Sequence, residues 1–167
     1  AVCAVCGDVR RASGEDCLCD ACREQLTGLR VPPEACERCL SLSARGKPCA
    51  LCASHFMRHI DRVYAPFIYY GAVAKIIKDF KFESCDDMLP LLCDRMAQSL
   101  KTRDFTLIVP VPLHKSRERE RGVNQAMLLA KGVSERIGVP AANPLRRVRA
   151  TRPQTSLDQG KRKQNVR

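Results

Sequence analysis

An α/β domain preceded by a small cysteine-rich metal module is the architecture that this sequence predicts, with the division falling between 1–60 and 61–167. Three observations predict it. Eight of the eleven cysteines stand in four C-x-x-C pairs within the first 52 residues. Further along, apolar residues recur at helical spacing. A run of β-formers from Thr106 to Val111 then meets prolines and leads through an arginine-rich stretch into a helix, the strand–loop–helix unit of an α/β sheet.

The pairs are Cys3/Cys6, Cys19/Cys22, Cys36/Cys39 and Cys49/Cys52, separated by 12, 13 and 9 residues. One C-x-x-C turn aims two thiolates at a single ion, and two turns complete a tetrahedral zinc site with no open position for catalysis. Few apolar residues lie between the pairs, so metal is expected to replace a core there. Two Zn2+ ions are expected in a double zinc-ribbon module, the first two pairs on one ion and the last two on another. Crossed pairing is the alternative that the similar gaps leave open. Cys17 is read as a bystander, and His55 and His59 as surface residues. Serine at Cys3 or Cys36 is expected to destabilise 1–60 while leaving the helix from Gly122 intact. The sequence has no secretory h-region and no apolar run long enough for a bilayer, and its cysteines are paired in the manner of metal ligands; a cytoplasmic protein is expected.

Arg62 to Tyr70 is rich in β-formers and interrupted by Pro66, which suggests an edge strand or hairpin arm. Val73, Ile76, Ile77 and Phe80 then mark one face of a helix, with Lys75, Lys78 and Lys81 largely off it and solvated. A second helix, capped near Asp86, carries Leu89, Leu92, Cys93, Met96 and Leu100 on one stripe. Cys93 is therefore core, and Cys85 falls in the turn before it. Thr106–Val111 is expected as a buried strand that ends where Pro110 and Pro112 offer no N–H to a ladder.

Beyond Lys115, the arginines Arg117, Arg119 and Arg121 are read as an extended loop. Alternation would then point all three one way, and Glu118 and Glu120 the other. That edge, beside a helix opening near Gly122, is where a phosphorylated ligand is expected; the competing reading is a solvated charged loop. The helix runs from about Gly122 to Ile137 on Val123, Ala126, Ala130, Val133 and Ile137, with Asn124 and Gln125 in its first turn. Gly138 and then Pro140 stop it. A short strand over 143–148 follows, leading into Arg146, Arg147, Arg149 and Arg152 and a basic tail at Lys161-Arg162-Lys163. Residues 1–100 hold 13 basic against 13 acidic side chains, whereas 101–167 hold 16 against 5 and so carry the whole net charge of +11. The C-terminal part is therefore expected to meet an anion, either a small phosphate ester or a nucleic acid. Aromatic side chains near the arginines are nearly absent in sequence, which counts against base stacking.

Val109-Pro-Val-Pro-Leu-His114, followed by R-x-R-x-R-G-x-N-Q-A over Arg117–Ala126 and a helix, resembles the ComF family, competence-associated proteins related to type I phosphoribosyltransferases. The family also carries an N-terminal zinc module, and the resemblance runs from Cys3 to Val166. It implies a partial type I phosphoribosyltransferase-like domain that binds phosphoribosyl pyrophosphate or a related phosphate, accompanied by Mg2+. It implies a role in uptake or handling of transforming DNA, with single-stranded DNA or competence machinery as partners and no membrane. Substrate contacts would come from Lys81, Pro110, Val111, Pro112, Arg117, Arg119, Arg121, Asn124, Gln125 and Arg149, and a mobile lid from 151–155. The Thr-Thr-Gly loop that grips the sugar phosphate in related enzymes is missing. The chain opens on Ala1 and is expected to be a fragment of a longer phosphoribosyltransferase, inactive alone. The rival expectation is a non-catalytic, zinc-dependent nucleic-acid-binding module.

Overall fold

Helices, with very little sheet, carry the chain in the computed structural model, which describes residues 2–9, 17–42, 49–53, 57–82, 86–102, 104–151, 158 and 160. They are α1 (Asp20–Gly28), α2 (Ala50–Ala53), α3 (Gly71–Phe82), α4 (Leu89–Ser99, entered through a 3-10 turn at Asp86–Met88), α5 (Lys115–Arg121) and α6 (Gln125–Ile137). The expectations for His55, Cys85, Arg152, the rest of the 151–155 lid and the basic tail at 161–163 lie outside the described residues.

The apolar stripes predicted for α3 and α4 form the centre of the main core. Ala72, Val73, Ile76 and Phe80 of α3 bury against Leu92 of α4 and Met88 before it. The same cluster takes in Cys3, Val5, Leu18, Cys19, Cys22 and Leu26 from the first cysteine segment, so residues from both sides of position 60 share it. The expectation that metal stands in for a core therefore needs correcting for that segment: Val5, Leu18 and Leu26 are each at most 6% exposed. Each large apolar side chain so buried contributes about 1.5–3 kcal/mol. A second, separate cluster is small: Cys36, Cys52 and Met57, with Cys39, Cys49 and Val63 packed on it.

The linker between the two cysteine segments is tied to the segment before α3. An antiparallel bridge pairs Arg30 with Phe67, Val31 N–H donates to the Pro66 carbonyl at 3.3 Å and Ile68 N–H to that of Leu29 at 2.7 Å. Arg62–Tyr70 thus forms neither the edge strand nor the hairpin arm expected, but one isolated bridge to a residue 37 positions earlier. The buried strand expected at Thr106–Val111 is likewise one parallel bridge, Ile108 to Ala141, held by Ile108 N–H to the Pro140 carbonyl and Ala142 N–H to that of Ile108. Pro110 is buried, but Leu107, Val109 and Val111 are exposed, so only alternate positions turn inward. No strand forms over 143–148, where Leu145 and Val148 lie exposed. β-formers supply the propensity in both places, but the neighbouring strands that would bury their outer faces are lacking among the described residues.

Between the two halves of that parallel bridge run α5 and α6. Gly138 closes α6 in the left-handed conformation (φ 71°), as predicted. α6 lies on α4 at Gly132, whose missing side chain admits Cys93 of α4. Arg136 of α6 locks the pair: it bonds Asp94 and donates to the carbonyls of Gly132 and Pro90. Burial pushes the Cys93 thiol pKa up, with Arg136 opposing, and leaves it an inert core side chain. None of the helices among the described residues is long and apolar enough to cross a membrane.

Candidate metal centres and a basic helix

Each cysteine tetrad is built the same way. The first C-x-x-C forms a tight turn: Gly7 N–H donates to the Cys3 carbonyl (2.9 Å) and Cys3 N–H to that of Asp8 (3.0 Å), while Leu40 N–H donates to the Cys36 carbonyl (2.8 Å) and Cys36 N–H to that of Ser41 (2.9 Å). The second C-x-x-C opens a helix, with Cys19 as the residue before α1 and Cys49 just ahead of α2. The ends of a turn and a helix start thereby bring four sulfurs together. Cys3, Cys6, Cys19 and Cys22 gather in one group and Cys36, Cys39, Cys49 and Cys52 in another, the sulfurs of each within 4.8 Å of one another. The sequential pairing is the one the fold adopts.

The spacing fits zinc. Tetrahedral zinc with bonds of about 2.3 Å needs sulfurs about 3.8 Å apart. Cys6 and Cys19 stand at 3.8 Å, Cys36 and Cys52 at 3.5 Å, Cys39 and Cys49 at 3.4 Å, and Cys49 and Cys52 at 3.9 Å. The backbone also prepares the thiolates. Burial opposes ionisation of Cys3, yet the N–H groups of Cys6, Cys19 and Val5 at its sulfur outweigh it and bring the pKa to about 6. The N–H groups of Cys39 and Arg38 do the same for Cys36, again to about 6. Cys22 and Cys52 are pushed upward by burial and then by the neighbouring thiols. A divalent ion, when bound, supplies the charge that lets all four ionise and cross-links turn to helix. Cys17 belongs to neither group, and His59 is exposed, as read from sequence.

The stretch 115–121 is not the extended loop expected. It is helix α5, started by His114, whose ring Nδ1 accepts from Ser116 N–H at 3.3 Å and meets the Ser116 hydroxyl at 2.8 Å. In a helix, residues four apart share a face and residues two apart do not. The arginines therefore do not form one edge. Lys115 and Arg119 fall together and, with Glu118 and Gly122, line a shallow open depression. Arg117 and Arg121 fall on another face, and the Arg121 guanidinium sits 4.8 Å over the exposed ring of Phe82. That ring corrects the expectation that aromatics are missing near the arginines; it comes from 39 positions earlier, where no sequence window shows it.

Asn124 and Gln125 act within the protein. The Asn124 side chain caps α6 by accepting from Ala126 N–H at 3.1 Å. Gln125, 7% exposed, donates to the Lys81 carbonyl at 3.2 Å and so fixes the end of α3 against the start of α6. Lys81 is exposed beside Phe82. Pro110 is buried, Val111 exposed and Pro112 half-buried in the run leading to His114, and Arg149 is exposed beyond Ala141. Sequence reasoning missed His114 as the cap, because histidine is outside the usual set of capping residues.

The chain is 29% identical over 158 residues to Competence protein F of Haemophilus influenzae, an alignment covering 89% of this chain and 67% of that protein. No protein-family model matches the sequence, and no solved structure does.

Proposed function

We propose, taking this chain as a homologue of Competence protein F, that it is a competence-related protein with two structural zinc centres and a phosphoribosyltransferase-like site for phosphoribosyl pyrophosphate or a related phosphate. The observation that carries the ligand reading is the placement of α5. It follows directly on the segment paired in parallel at Ile108. Ligands of α/β folds gather beyond the carboxyl ends of such segments. There Lys115 and Arg119 offer two cations around a depression with room for a phosphate, and Gly122, at φ 76°, turns the chain sharply. A diphosphate would bring its own Mg2+, and the cations would neutralise charge on it as a leaving group. By the same reading the protein is cytoplasmic and takes part in handling transforming DNA.

The second reading, a nucleic-acid surface without catalysis, draws on the exposed Phe82 under Arg121, with Lys81 alongside. Bases stack on such rings and backbones follow such charges. Calorimetry with phosphoribosyl pyrophosphate and with single-stranded DNA, each at two salt concentrations, separates the two. Under the first reading Arg119→Ala weakens phosphoribosyl pyrophosphate binding by about 1.5–3 kcal/mol, the worth of a charged hydrogen bond. A solvated helix predicts a change within about 0.5 kcal/mol for the same variant, which would take α5 out of the site. Steep loss of DNA affinity with salt, in place of any sugar-phosphate binding, would favour the second reading.

A further inference from the structure

A cleft of about 240 Å³ lies between the turn of the second cysteine tetrad, the segment before α3 and the C-terminal end of α4. Its apolar walls include Pro32, Leu40, Val63 and Phe67. Tyr64, also on its wall, is fixed edge-to-face on Phe105 at 6.1 Å between centroids. Around this apolar space stand three cations, Arg30, Arg95 and Lys101, against one acid, Glu37. Among the described residues none of the three cations makes an ion pair, and the polar contact of the Arg95 side chain is the amide oxygen of Gln98 at 3.0 Å. Nearby Arg38 is the contrast: its guanidinium is spent on the carbonyls of Met57, Ile60 and Asp61. Guanidinium groups without a carboxylate partner at the rim of an apolar cleft suit a carboxylate or phosphate carried on an apolar body.

Leu40 adds an independent observation. It occupies the left-handed region at φ 61°, in the turn position that Gly7 (φ 75°) fills in the first tetrad. Glycine adopts that conformation freely, whereas a leucine there is strained. Zinc binding needs only the turn, which Gly7 makes without a side chain. What the leucine adds is an apolar wall to the cleft, and strain of this kind gathers at ligand clamps.

We propose that this cleft binds a small organic anion, a ring or short apolar chain bearing one carboxylate or phosphate, with Arg30, Arg95 and Lys101 holding the charge and Leu40 packing on the apolar part. The site is separate from the depression at α5, so its fate is independent of the phosphoribosyl pyrophosphate reading.

The test is titration of the zinc-loaded protein, followed by amide NMR, with four probes: phenyl phosphate, benzoate, inorganic phosphate and benzyl alcohol. Saturable shifts at Leu40, Tyr64 and Lys101 are expected with phenyl phosphate or benzoate, and the tighter of the two identifies the anionic group. Inorganic phosphate and benzyl alcohol should each bind about tenfold more weakly or worse, since each lacks half of the match. Arg95→Gln should weaken the better probe by about tenfold or more, while Lys78→Gln on α3 leaves it unchanged. Leu40→Gly should keep both zinc ions and an unchanged or higher melting temperature, yet bind the probe several-fold less tightly. No saturable shift at the cleft, inorganic phosphate binding as well as the aromatic anions, or full affinity in both Arg95→Gln and Leu40→Gly would overturn the assignment.

Discussion

Cys3→Ser will unfold more than the segment that contains it. The expected result is loss of one zinc ion per chain together with loss of amide protection in α1, α3 and α4, read by hydrogen exchange. Structural zinc contributes about 10–16 kcal/mol in small tetrahedral sites, and a domain has only about 5–15 kcal/mol of net stability to lose. Cys3, Cys19 and Cys22 share one cluster with Val73, Ile76, Phe80 and Leu92, and Leu128 and Leu129 of α6 pack on its edge. A vacated first site therefore opens the main core. The sequence alone suggested destabilisation of 1–60 with the helix from Gly122 intact; the shared core extends the expected effect to α3 and α4. Cys36→Ser makes the complementary case, because its cluster is confined to Cys36, Cys52, Met57 and the side chains packed on them. There the loss should stay in 31–42 and 49–63, with α3, α4 and α6 still protected. Equal loss across the chain in both variants would contradict the two-core description.

The second large effect is at Gly132. A methyl group there would fall well inside van der Waals contact of the Cys93 sulfur and 3.2 Å from its β-carbon. Cys93 is fully buried at 0% exposure, so the sulfur cannot swing into solvent, and α4 and α6 must separate or the helix must bend. Gly132→Ala should cost about 1–3 kcal/mol, the usual range for overpacking, despite alanine's better helix propensity. The double variant Cys93→Ala/Gly132→Ala removes the sulfur and should recover much of the loss. Denaturant unfolding of the four members of this cycle gives the coupling, expected at about 0.5–3 kcal/mol in the favourable direction. Additive losses would place the cost of Gly132→Ala elsewhere than in the contact with Cys93.

The parts of this fold that were legible in the sequence are those whose signal is local. α3, α4 and α6 announce themselves by apolar residues at helical spacing, and α6 also by Gly138 and Pro140 at its end. The cysteine tetrads follow from ligand chemistry, where four C-x-x-C pairs leave few other readings. α5 was illegible because alternating Arg and Glu has no apolar period, although both are good helix formers and that propensity was the available signal. The strands failed for a different reason. β-formers at 106–111 describe a tendency, whereas pairing depends on a partner more than thirty residues away at Ala141, and one bridge is what the partner supplies. Phe82 under Arg121 and Leu26 among the α3 side chains are likewise products of the third dimension.

Two tetrathiolate zinc centres, paired in chain order, are the claim on which the rest of the account stands. Native mass spectrometry of protein purified without chelator, compared with the double variant Cys3→Ser/Cys22→Ser, tests it most directly. The grouping of Cys3, Cys6, Cys19 and Cys22 apart from Cys36, Cys39, Cys49 and Cys52 predicts two zinc ions in the parent chain and one in the variant. A single ion or none in the parent, or loss of both ions in the variant as crossed pairs would give, would contradict it.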